Sequence, residues 1–232
     1  MDCLAQKLPT NSDMESFLRS CNIALAPIPD MEYYSCVGLC ALDAVFSIQA
    51  KYYSVVSPLV DRFCDLIKID RKVPNPHIMP DVDKQIKVSD LVKLLENYDG
   101  KSLAKALKNK QRTSSKNGIL KAEAFLEYLK VFQKFKVETF QDVNRLSEES
   151  DDLKNALKGI KGQNFAVDYF FMLAGDEDGV KVDTWIRRFS EAAVGHSLTK
   201  EEIITHGLVC KEDYEIKISI YCHRSHRNDG SY

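Results

Sequence analysis

Charge of one sign is what this chain lacks most plainly. Its 232 residues carry 32 Lys and Arg against 34 Asp and Glu, a formal net charge of −2. No overall basic field therefore exists to hold a polyanion, and any nucleic-acid contact must come from the local distribution of charge. No apolar run reaches the roughly 20 residues of a membrane helix, so no membrane partner is expected. The opening MDCLAQKLPTNSD has no basic region followed by an apolar one, so no signal peptide is expected either. A disulfide framework is missing too. Seven cysteines, an odd number, are scattered at positions 3, 21, 36, 40, 64, 210 and 222. Several sit inside apolar runs, the pattern of reduced thiols packed within an intracellular protein of cytoplasm, nucleoid or nucleus. Repeats and low-complexity tracts are absent, and a weak alternation occurs only after residue 215.

What is present is helical periodicity. A short helix is expected around residues 14–25, ended by Pro27 and Pro29. Residues 37–52 are apolar on nearly every face, the signature of a helix buried in a bundle. The next helix, 54–67, tolerates Pro58 in its first turn. Residues 70–88, with Pro74, Pro76 and Pro80, read as an irregular crossing. Ser89 is expected to cap a helix that closes at Asp99-Gly100, with glycine just past its end. A lysine-rich helix over 102–110 and a polar break over 111–118 follow. Residues 119–135 then place Ile119, Ala122, Phe125, Leu126, Leu129, Phe132 and Phe135 on one helical stripe. An acidic connector and helix over 140–157 leads to a second apolar helix over 165–173. Helices over 182–193 and from Thr199 come next, the latter with Glu202 completing a capping box. The class is mainly α.

Between the helices at 140–157 and 165–173 lies Gly159-Ile160-Lys161-Gly162, and about twenty residues later Val182-Asp183-Thr184 opens a helix. Backbone amides at a glycine turn that opens a helix can meet a phosphate, aided by the helix dipole. Together with Gly118-Ile119-Leu120-Lys121-Ala122 and Phe46-Ser47-Ile48-Gln49-Ala50, this stretch resembles the helix-hairpin-helix DNA glycosylase superfamily. Endonuclease III and the alkyl-purine glycosylases belong to that superfamily. The resemblance covers about residues 37–190 and is strongest over 118–189.

The resemblance implies a two-lobed helical fold. Residues 34–175 would form a six-helix lobe ending in the hairpin, and 1–33 with 176–232 a second, discontinuous lobe. It also implies double-stranded DNA as partner, a monomer, and no cofactor. Asp183 takes the catalytic carboxylate position, where one acid suffices to stabilise the positive charge that builds on the sugar as the base leaves. Gln49 takes the place of the residue that fills the gap left by an extruded base. Gly159, Lys161, Gly162 and Lys121 are candidates for the DNA backbone, although Lys121 equally suits the anchoring of a helix end. Gln163, Asn164 and Trp185 are candidates for the base pocket, Trp185 also suiting the core.

The family's Gly-apolar-Gly is altered here. Either Lys161 takes the second glycine's conformation, or the loop is one residue longer and Gly162 takes it. The position of the lyase lysine then falls on Gln163 or Asn164, and neither amide is an amine nucleophile. The expectation is a monofunctional N-glycosylase. A noncatalytic DNA-binding module and a helical interaction protein are the alternatives. Metal chemistry is not expected. Only Cys210 and Cys222 follow Asp183, too few for a four-iron cluster, and their spacing with His223 and His226 matches no standard zinc module.

Overall fold

The computed structural model describes residues 32–176 together with 187–188, 191–192, 195–199 and 201–203. The chain divides into two compact units, one Met31–Gly179, the other combining Met1–Asp30 with Val180–Tyr232. The expected helix over 14–25 and the tail beyond 215 lie outside the described residues, as do Asp183 and Trp185.

The first unit is a helical bundle around α1, Val37–Ser47, of which every residue from Val37 to Phe46 is buried. Its all-round apolarity explains that position, since such a helix has no face to give to water. The apolar pattern continues to residue 52, but the helix does not. Gln49 takes φ 51, and the chain restarts as a single π-helical turn, Tyr52–Val56, running into α2, Ser57–Ile67, with Pro58 in its first turn. Residues 70–87 form the expected irregular crossing, with one 3-10 turn at Val82–Lys84.

Two shorter helices follow, α3, Val88–Leu94, and α4, Gly100–Ala106. Here the sequence reading is corrected. Gly100 opens α4 instead of closing α3, because the Asp99 carboxylate accepts the Ser102 amide at 2.7 Å while the Asp99 amide donates to Ser102 Oγ at 2.8 Å. Ser89 does not cap α3; its amide donates to the Glu138 carboxylate from across the bundle. Helix α5, Lys121–Lys134, buries Ala122, Ala124, Phe125, Tyr128, Leu129 and Phe132. It packs on α1, α3 and α4.

Helices α6, Phe140–Glu149, and α7, Asp152–Lys158, divide the segment read as one connector and helix. Helix α8, Asn164–Ala174, then lies against α1, α6 and α7. The core of this unit is aromatic: Tyr128, Phe132, Phe170 and Phe171 meet with centroids 5.2–6.1 Å apart, most of them edge to face as ring quadrupoles prefer. Gly38 lets α1 approach α3, since a Cβ there would come within 2.3 Å of Leu91 Cδ2. Cys36, Cys40 and Cys64 are free and buried.

Among the described residues strand content is limited to isolated bridges, and no helix is long and apolar enough to cross a membrane. Of the second unit, residues 201–203 are helical. The capping box at their start is in place: Thr199 donates its amide to the Glu202 carboxylate, and Glu202 donates its amide to Thr199 Oγ1.

Candidate nucleic-acid interface

The turn between α7 and α8 spans five residues, and its backbone is set by Gly162. That glycine takes φ 76, whereas Lys161 stays on the ordinary side of φ. The left-handed residue of the turn is thus Gly162, the longer of the two loop registers open to the sequence. A side chain at this position would be strained by conformation, and also by space, since a Cβ would lie 2.7 Å from Thr113 Oγ1. Gly159 ends α7 in helical conformation, its amide bonded to Asn155 O at 3.0 Å.

Gly159, Lys161, Gly162 and Asn164 are exposed. Among the described residues the amides of Lys161, Gly162, Asn164 and Phe165 find no acceptor, and no side chain caps α8. Two of these donors, the amides of Asn164 and Phe165, lie at the positive end of an eleven-residue helix, an end suited to an anion. Gln163 behaves differently. It is 0% exposed, and neither Oε1 nor Nε2 has a hydrogen-bond partner.

Thr113 belongs to a second loop. The Thr113 amide donates to Ile119 O, the Lys121 amide donates to Gln111 O, and Arg112 Nη1 donates to Gly118 O. Those bonds close residues 112–120 into a compact loop whose tip, 114–117, is exposed. Thr113 is itself buried, with Oγ1 unpartnered and directed at Gly162. Contact between Thr113 and Gly162 seats this loop against the turn. Both segments are free of acids: from Lys101 to Ala122 the chain carries Lys101, Lys105, Lys108, Lys110, Arg112, Lys116 and Lys121 without one Asp or Glu, and 153–167 carries Lys154, Lys158 and Lys161 without one. The basic surface that the turn and the loop themselves offer consists of exposed Arg112, Lys116 and Lys161.

Lys121 stands behind that surface, not on it. It is 2% exposed, and its ammonium donates to Phe46 O at 3.0 Å, Ile48 O at 2.5 Å and Gln111 Oε1 at 3.1 Å. The first two are carbonyls at the C-terminal end of α1, where a cation complements the helix dipole. Burial pushes its pKa down to about 8, because the partners are dipoles and not charges. Through Lys121 the turn bearing Gln49, which is exposed, is tied to the loop 111–120.

A polar cluster absent from the sequence reading lies under the same end of α1. Asp43, 0% exposed, accepts from Tyr34 Oη at 2.5 Å, Tyr52 Oη at 3.2 Å and Ser47 Oγ at 2.7 Å. Burial first, and the Asp43 charge second, raise the Tyr34, Tyr52 and Tyr169 hydroxyls above the usual phenol range. Arg71 lies over the Tyr34 ring and donates to Ser57 Oγ and the Asp61 carboxylate. The one legible signal was an acid inside an otherwise apolar helix, since buried charges require partners. Elsewhere, a groove of about 550 Å³ between α3 and α5 is lined by Val92, Leu95 and Leu126 together with Glu96, Asp99, Glu123, Glu127, Lys101 and Lys130, a lining of mixed charge.

The family model described as "Domain of unknown function (DUF8548)" matches residues 13–212 of the chain. No curated protein and no solved structure matches it.

Proposed function

Since the chain belongs to the DUF8548 family, whose description names no activity, we propose a function from the site itself: the protein binds the phosphate backbone of DNA. The α7–α8 turn and the loop 111–120 would form the contact surface. The observation that carries this reading is the seating of two acid-free, lysine-bearing segments against each other at Thr113 and Gly162, beside open amides in the turn and at the helix start. Contacts of this kind grip the backbone without reading sequence.

The sharper form of the proposal is a monofunctional N-glycosylase in which Asp183 stabilises the departing-base transition state and Gln49 fills the vacated stack. Its support is the motif resemblance together with the exposed position of Gln49 on a left-handed turn. Exposed Asn164 and buried Gln163 occupy the two candidate positions for a lyase lysine, so no covalent adduct with the sugar is expected.

Titrating a labelled duplex at increasing salt tests the backbone reading. Affinity should fall linearly on a log–log plot by about 0.9 for each phosphate neutralised. No duplex binding at low salt removes the proposal. Incubation with uracil-, alkyl-purine-, oxidised-guanine- and mismatch-containing duplexes tests the sharper form. Base release abolished in Asp183→Asn supports it, whereas no release from any duplex leaves a noncatalytic DNA-binding module.

A further inference from the structure

Phe165 is the most exposed large apolar side chain among the described residues, at 74%. It is the second residue of α8 and follows directly on the turn. Its own amide is one of the open donors that the proposed function assigns to a phosphate. Burying an aromatic ring is worth about 1.5–3 kcal/mol, and this one lies beside the open amides of the turn, where a ligand held there would meet it.

From the reading of this face as a backbone-binding surface, we infer that Phe165 is a stacking platform for an unpaired nucleobase. The preferred ligand is then a polynucleotide with at least one exposed base face, single-stranded or gapped, over an intact duplex. A phosphate held at the α8 N-terminus sits against the backbone of Phe165, and the base of that nucleotide lies one sugar away, about the reach of the phenylalanine side chain. Stacking needs an open π-face. Inside a duplex each base face is already covered by its neighbour, so Phe165 can engage only a base whose neighbour has gone. Charge agrees with this occupant. Lys158 and Lys161 precede the ring, and the next acid, Asp168, faces Lys154 at 3.4 Å. Every base offers a π-face, so the preference would be for strand state and not for sequence.

The experiment is fluorescence anisotropy of the full chain with a fluorescein-labelled oligothymidylate, an intact duplex, and the same duplex carrying a one-nucleotide gap, at low salt. Expected is tighter binding of the oligothymidylate and the gapped duplex. Phe165→Ala should weaken those two by about tenfold, the loss that goes with removing one aromatic from a stacked base, and leave intact-duplex binding within about twofold. Phe165→Trp should retain the preference and Phe165→Leu should not. The site is largely in water, so these variants should keep the parent's circular dichroism. Equal loss for all three ligands, no loss in Phe165→Ala, or full retention in Phe165→Leu overturns the stacking role while backbone binding stands. No binding to any of the three overturns both.

Discussion

Among the described residues, Lys121 and Asp43 are the two ionisable Asp, Glu, Lys or Arg side chains that are buried, and each determines a property of the whole. Lys121 holds the α1 carbonyls of Phe46 and Ile48. In Lys121→Met those acceptors lose their donor, and we expect a loss of about 1–3 kcal/mol, read as a shift in the urea midpoint. The pH dependence has a definite sign. Burial lowers Lys121 from 10.5 to about 8, so between those values the unfolded chain holds a proton that the folded chain has released. Stability from this group therefore rises with pH across the window. Cys36, Cys40, Cys64, Tyr34, Tyr52, Tyr128 and Tyr169 act in the opposite direction, since burial raises them all and only the unfolded chain ionises the thiols near 9 and the phenols near 10. The Lys121 contribution is therefore read as the difference between the parent and Lys121→Met midpoints, which should grow in the parent's favour as pH rises from about 8 to 10.5. Asp43→Asn puts an amide donor where three hydroxyls donate, and should cost about 1–3 kcal/mol by the same measurement.

At the scale of elements, turn chemistry decides more than helix propensity. Gly162 is held left-handed against Thr113. Gly162→Ala should therefore lose about 1–2 kcal/mol from conformation alone, plus the cost of a Cβ 2.7 Å from Thr113 Oγ1. Thr113→Gly in the same chain removes both Oγ1 and the Thr113 Cβ that would lie 2.8 Å away, so it should recover most of the second part and not the first, which a double-mutant cycle on thermal midpoints separates. The same scale explains why Asp99-Gly100 reads as a helix end in the sequence and opens a helix in the structure. Asp-Gly after an amphipathic run ordinarily marks a helix end, and only the Ser102 hydroxyl three residues on reveals that Asp99 caps the following helix. The capping box at Thr199 and Glu202 was legible because both partners lie three residues apart in sequence.

For the whole molecule, distribution of charge outweighs its total. A chain of net charge −2 binds a polyanion only through a local face, so reversing two charges on that face should matter far more than reversing two elsewhere. We expect Lys116→Glu with Lys161→Glu to reduce the salt slope of duplex binding by about 2. Reversal of Lys84 and Lys93, each already paired with an aspartate, should leave that slope unchanged. Equal effects from the two pairs would remove the assignment of the face.

The sequence by itself determined the helical class, the burial of residues 37–46, the stripe on α5, and a glycine turn between two helices. Each of these is written in local periodicity or in residues a few positions apart, where backbone geometry and hydrophobicity act without reference to the rest of the chain. Tertiary structure decided the rest. Three things depend on groups that meet only after the chain has closed on itself: the use of Lys121 as a strut from α1 to the loop 111–120, the seating of Thr113 on Gly162, and the gathering of Tyr34, Ser47 and Tyr52 around Asp43. A buried charge is visible in sequence as an anomaly, but its partners are chosen by packing, and packing is a property of the folded chain alone.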